Sequence, residues 1–191
     1  MSRHDTNKQR IRNQFLSVAT DLILEKGYDA VSVAEICRVA DYGRSTFYVY
    51  FEDKEALVWE ILKHNLAIMD AQILTAIEGL ASPTREWIAW RMIFASVPPQ
   101  RDFYLKLDGD LSRRLRQWQK EQLIMTFERQ LHDGVYSLLL DVPPEIGARF
   151  ITGAIIEILN HWLVHPDLGD SDTLARYFFR LVFREEPPTD V

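Results

Sequence analysis

The chain has 191 residues, 47% hydrophobic and 26% charged, a composition that supports a buried core and excludes a disordered polymer. A single cysteine, Cys37, excludes an intrachain disulfide and fits a reducing compartment. No apolar run reaches the roughly 18–20 residues of a membrane span, and the polar start lacks the apolar core of a signal peptide, so a cytoplasmic protein is predicted. The net charge of −6, with a pI near 5.4, argues against indiscriminate nucleic-acid binding, which needs a broad basic surface.

That charge is uneven. Residues 1–12 hold Arg3, Lys8, Arg10 and Arg12 against Asp5, a net +3, whereas residues 65–191 hold a net −5. The first stretch is expected to form a basic arm, either a solvated tail or a nucleic-acid contact. Helical periodicity then dominates. From Lys8, the residues Ile11, Phe15, Val18, Ala19, Leu22 and Ile23 share one helix face, and Gly27 stands where a helix stops. Ser32-Val33-Ala34-Glu35 has the pattern of a capping box, with Ser32 as N-cap and Glu35 reaching back. After a break at Ala40-Asp41-Tyr42-Gly43, a short helix is predicted over Arg44–Phe51, and Glu52-Asp53-Lys54 restarts a long one reaching Leu80.

Further on, Ser82-Pro83 starts a helix, Val97-Pro98-Pro99 breaks the chain, and Asp108-Gly109-Asp110 turns into a helix from about Leu111 to Leu140. Val142-Pro143-Pro144 opens a strongly apolar helix to about His165, and Ser171-Asp172-Thr173 caps a last one to about Arg184. The predicted fold is all-α with about nine helices. Residues 185–191 have nothing to bury and are expected to be disordered.

A long helix followed by two short ones around a tight turn is the layout of a helix-turn-helix module, although a plain helical core segment fits the same pattern. Arg44 can fork onto guanine or clamp a phosphate, Ser45 and Thr46 offer hydroxyls, and Tyr48 and Tyr50 can donate to phosphate oxygens. Phe47 and Phe51 are expected to point inward onto Phe15, Val33 and Ile36.

Residues 8–62 resemble the DNA-binding domain of the TetR/AcrR family of bacterial transcription regulators. The resemblance rests on Ala19, Gly27, Tyr28, the run Val31–Cys37, Ala40, and above all Arg44-Ser45-Thr46-Phe47-Tyr48-Val49-Tyr50-Phe51 followed by Lys54-Glu55-Ala56-Leu57. It implies DNA contacts by Ser32, Arg44, Ser45, Thr46, Tyr48 and Tyr50, and a phosphate contact by Lys54 at a helix start that itself aims N–H groups at anions. The turn departs from the family's pattern at Asp41, Tyr42 and Gly43. Tyr42 is either a half-buried turn residue or a further DNA contact.

The resemblance also implies a division into residues 1–52, which bind DNA, and 53–184, which bind an effector and dimerise through helices near 144–165 and 171–184. Gly147, Ala148, Gly153 and Ala154 are expected to let another backbone approach there. The implied function is that of a homodimeric repressor, released from a pseudo-palindromic DNA operator by a small-molecule effector. An effector-independent architectural or interaction protein on the same scaffold is the alternative. Trp90, Phe94, Phe103, Trp118 and Phe127 are candidates for the effector lining, against the plainer reading that they are core. Arg113, Arg114, Arg116 and Lys120 read as a solvated basic face or an anion site. Glu157, His161 and His165 recur every four residues, but no further ligand completes a metal set. No nucleophile–base pair or phosphate loop points to an enzyme, and no cofactor is implied.

Overall fold

The computed structural model describes residues 3–107, 109–138 and 142–189, and those residues form an all-α fold. The helices are α1 (Arg3–Lys26), α2 (Val33–Ala40), α3 (Arg44–Tyr50), α4 (Lys54–Ile77), α5 (Thr84–Ala95), α6 (Arg101–Lys106), α7 (Gly109–His132), α8 (Pro144–Val164) and α9 (Ser171–Phe183). They divide into two compact units. The first comprises residues 1–67 and 102–113, the second residues 68–101 and 114–191. A division at residue 52 therefore does not describe the chain: α4 contributes to both units, and a segment from the middle of the chain joins the first.

In the first unit the predicted arm is helix. α1 begins at Arg3, not Lys8, so the basic residues lie along a continuous helix. It stops at Gly27, whose φ of +82° suits glycine, with the Gly27 N–H bonded to Ile23 O at 2.8 Å. Ser32 caps α2 by accepting from the Glu35 N–H at 3.2 Å. The return half of the capping box is replaced: the Glu35 carboxylate takes Lys26 Nζ at 2.6 Å, joining the ends of α1 and α2. That bond holds the Glu35 carboxyl below its ordinary range and raises the Lys26 ammonium. Asp53 caps α4 through the Ala56 N–H at 2.7 Å. The core of this unit is Phe15, Ile23, Ile36, Phe47, Phe51, Leu57 and Leu62, all buried. From the later segment, Phe103, Leu107 and Leu111 are also buried, and the Tyr28 N–H bonds to Lys106 O at 3.1 Å.

The second unit is built around α5 and α9. Trp90 meets Phe178 at 4.7 Å between ring centres, and Trp87 meets Phe179 at 5.7 Å. Ile151 and Ile155 of α8, with Phe127 and Tyr136, complete its core. α7 ends at His132 rather than Leu140, because Gly134 at φ +69° closes it. The Val135 N–H bonds to Gln130 O and the Gly134 N–H to Leu131 O, the paired bonds of a Schellman stop. Residues 139 and 140 of the expected helix lie outside the described residues. α9 is capped by Asp170, one residue earlier than predicted, through the Thr173 N–H at 2.8 Å. Beyond α9, Glu186 bonds to Arg180 at 3.1 Å and Pro187 is buried, so this part of the tail packs where disorder was expected. The sequence pattern missed it because the pairing is made with side chains on the preceding helix. Residues 190 and 191 are outside the description. Among the described residues no helix is long and apolar enough to cross a membrane.

Candidate nucleic-acid interface

Asp41 makes the turn between α2 and α3. It adopts the left-handed conformation, φ 59° and ψ 41°, which aspartate tolerates, and the Tyr42 N–H then bonds to Cys37 O at 3.0 Å. This bond seats the half-buried Tyr42 with its ring 5.5 Å from Phe15. Gly43 is the N-cap of α3. Phe47 is fully buried, edge-on to Phe15 at 5.4 Å, and Phe51, the C-cap, meets Phe15 at 6.2 Å. These rings fix the roll of a helix only seven residues long, about 10 Å at 1.5 Å per residue.

With Phe47 inward, the opposite face of α3 is set. Arg44 and Ser45 are exposed at its start, and Tyr48 is 57% exposed with its ring edge 5.5 Å from Phe47. Thr46 and Tyr50 are half-buried on the flanks, Tyr50 lying 6.3 Å from Phe15. Ser32 is exposed, its oxygen engaged as the α2 cap. Val49, absent from the predicted set, is 74% exposed, more than Tyr48. The sequence carried the signal: at about 100° per residue, Ser45 and Val49 are the two positions most nearly opposite Phe47.

Lys54 departs from its expected role. Its Nζ donates to Tyr28 O and Val31 O, each at 2.7 Å, and lies 3.9 Å from the centre of the Tyr28 ring. Burial lowers its pKa. The ammonium closes the loop between α1 and α2 from inside, an internal role that the expected phosphate contact did not anticipate. The physical reason is local. The loop leaves two carbonyls without helical partners, and Lys54 at the start of α4 is within their reach.

Of the aromatic residues expected to line an effector site, Trp90, Phe94 and Phe127 share one buried cluster of the second unit. Phe103 is core of the first unit. In the second, Trp90 and Phe94 pack on Phe178 at 4.7 and 5.8 Å, and Phe127 packs on Tyr136 at 5.8 Å, while Trp118 is half-buried. A different feature stands out there. Glu86 is fully buried: its Oε1 accepts from the Ser137 N–H at 2.8 Å and from Arg85 at 3.3 Å, while Oε2 has no partner. Thr152 Oγ1 is likewise buried without a partner. Arg85 also lines an open hollow of about 660 Å³ with Leu74, Ile77, Leu80, Glu78 and Asp133. Arg113 pairs with Asp110 at 3.1 Å, and Arg114, Arg116 and Lys120 are exposed. The His161 and His165 rings lie 4.4 Å apart, and the described residues hold no group of three metal-ligating side chains.

The fold and this interface define a helix-turn-helix DNA-binding protein with a separate helical unit. Residues 15–61 match the family model described as bacterial regulatory proteins, tetR family. The HTH-type transcriptional regulator HbdR of Aromatoleum sp. (strain CIB) is 36% identical over 72 residues, 38% of this chain and 31% of that regulator, so the chain matches less than a third of HbdR's length. The HTH-type transcriptional repressor DhaR of Mycobacterium sp. (strain GP1) is 24% identical over 164 residues, 78% of this chain and 82% of the repressor. The crystal structure of the transcriptional regulator FadR from Bacillus subtilis, in complex with stearoyl-CoA, superposes with a TM-score of 0.64 at 18% identity, over 88% of this chain and 95% of FadR. Residues 15–61 therefore carry the DNA-binding region described by that family's model, and the chain is similar to transcriptional regulators of this kind.

Proposed function

We propose that the chain is a homodimeric, cytoplasmic repressor that binds a pseudo-palindromic operator and leaves it when a small molecule occupies the second unit. The observation that carries the DNA half is α3: a short helix rolled by buried Phe47 and Phe51 so that Arg44, Ser45, Tyr48 and Val49 face outward. A seven-residue reader covers few base pairs. Two readers on a symmetric dimer, addressing half-sites about 34–36 Å apart, supply the missing specificity.

The dimer surface in this reading is the outer face of α8 and α9. Ile146, Phe150 and Val164 on α8 are 56%, 61% and 59% exposed, and Tyr177 and Leu181 on α9 are 53% and 72% exposed. Side chains of that size in water mark a covered surface. The small residues of α8 divide between two roles. Gly147 and Ala148 are buried within the protomer, a Cβ on Gly147 falling 2.5 Å from Leu138, whereas Gly153 faces open space. Only the latter part of the small-residue run suits close approach by a partner helix.

An effector site in the second unit is supported by the unpartnered Glu86 and Thr152 oxygens, since buried polar atoms without partners are rare. The packing of Trp90 and Phe94 into the core favours the second reading, an effector-independent architectural protein. Selection from random DNA with the full chain, paired with light scattering, tests the whole. A two-fold symmetric site and a dimer that Leu181→Asp converts to a monomer are expected; a monomeric wild type, or no enriched sequence, overturns the reading. Stabilisation in a thermal-shift screen by compounds that also release DNA favours the effector-responsive form over the architectural one.

A further inference from the structure

α3 presents one residue whose exposure the free protein does not explain. Phe47 defines the inward direction at 0% exposure, and Val49, two residues on, is 74% exposed. Tyr48 and Tyr50 keep part of their rings against Phe47 and Phe15. Val49 projects outward beside Ser45, one turn earlier. A β-branched side chain is a poor choice for an exposed helix position, because it loses rotamer freedom there and gains no burial. Any contribution of its two methyls to binding needs an apolar partner.

In the major groove the base edges present hydrogen-bonding groups and one apolar group, the thymine C5-methyl. Resting on the DNA-binding reading above, we infer that Val49 is a specificity residue that packs on a thymine methyl in each half-site, with the Ser45 hydroxyl addressing a neighbouring base edge. The two residues form the outermost line of the reading helix. Ser45 can donate or accept, so it tolerates several bases, whereas Val49 offers nothing to a polar edge and favours thymine.

The test starts from the operator recovered by selection with the full chain. Each thymine is replaced in turn by deoxyuridine, which removes only the methyl. One position per half-site is expected to lose affinity for the wild type, by about fourfold, the worth of burying one methyl-sized group. Val49→Ala should bind the thymine operator about as weakly as the wild type binds the deoxyuridine one, and should be indifferent to the replacement. Its urea midpoint should match the wild type, which distinguishes a weakened grip on the base from a damaged fold. If no thymine is sensitive, or if Val49→Ala keeps the full sensitivity, the inference is overturned while the DNA-binding reading stands. If selection recovers no sequence, both fall together.

Discussion

Lys54 separates two accounts of the start of α4. In one, its ammonium contacts a DNA phosphate; in the structure, it donates to Tyr28 O and Val31 O at 2.7 Å each and sits over the Tyr28 ring. Lys54→Met keeps most of the stem and removes the charge and both donors. The Val31 carbonyl loses its partner, at about 1–3 kcal/mol, the Tyr28 carbonyl keeps the Val31 N–H at 3.2 Å, and the cation–π contact adds about 0.5–1 kcal/mol. Water reaching the part-exposed loop recovers some of this, so a net loss of about 1–3 kcal/mol is expected. With a urea slope of about 2 kcal/mol per molar, the midpoint of the first unit falls by about 0.5–1.5 M. Pulsed hydrogen exchange across α2 and α3 during urea unfolding reads that unit directly. The phosphate account predicts an unchanged midpoint and a salt-dependence slope shallower by about 0.9 for each phosphate that Lys54 no longer neutralises. An unchanged midpoint with that smaller slope would refute the internal role.

Three other outcomes follow from the same structure. Phe47→Ala removes the fully buried ring that sets the roll of α3, and should cost the first unit about 3–5 kcal/mol by the same exchange measurement, with loss of operator binding. Burial, and after it the nearby Asp70 and Glu86 carboxylates, raises the Tyr136 pKa, so above about pH 10 the unfolded chain gives up this proton while the native one holds it. Stability present below that pH is then lost as pH rises, by up to about 1.4 kcal/mol per pH unit, and Tyr136→Phe should remove this component of the slope in paired urea titrations. In operator binding, a dimer with about two basic phosphate contacts per protomer gives a slope of log K against log salt near −4, and a measured slope near −10 would contradict the small basic footprint.

Much of the fold was legible because periodicity and punctuation agree with the packing. Phe15, Phe47 and Phe51 fall on faces that the 3.6-residue period points inward, and Gly27 and the Ser32 cap stand at the ends they were expected to mark. Boundaries failed where a side chain or a turn outside the periodic pattern decides. The Gly134 stop was hidden by apolar residues continuing to Leu138, which suggested a longer helix. Glu186 looked like part of a polar tail because its partner Arg180 lies on a helix face that sequence spacing does not connect to it.

The site was legible to a lesser degree, and for one reason. A sequence shows which residues carry charge but not which charges the protein uses on itself. Arg12 is paired with Glu60, Lys26 with Glu35, and Lys54 with two backbone carbonyls, so three of the basic residues near α3 are engaged internally. Counted from sequence alone, Arg12 and Lys54 belonged to a local basic footprint that offset the net charge of −6. In the folded unit that footprint shrinks toward Arg44 and the outer side of α1. Weak general attraction for DNA follows from this reduced set, and discrimination must then come from the exposed line of α3 and from pairing two such lines on one operator. The proposed dependence on a symmetric site therefore follows from the acidity of the chain and the internal pairing of its basic residues taken together.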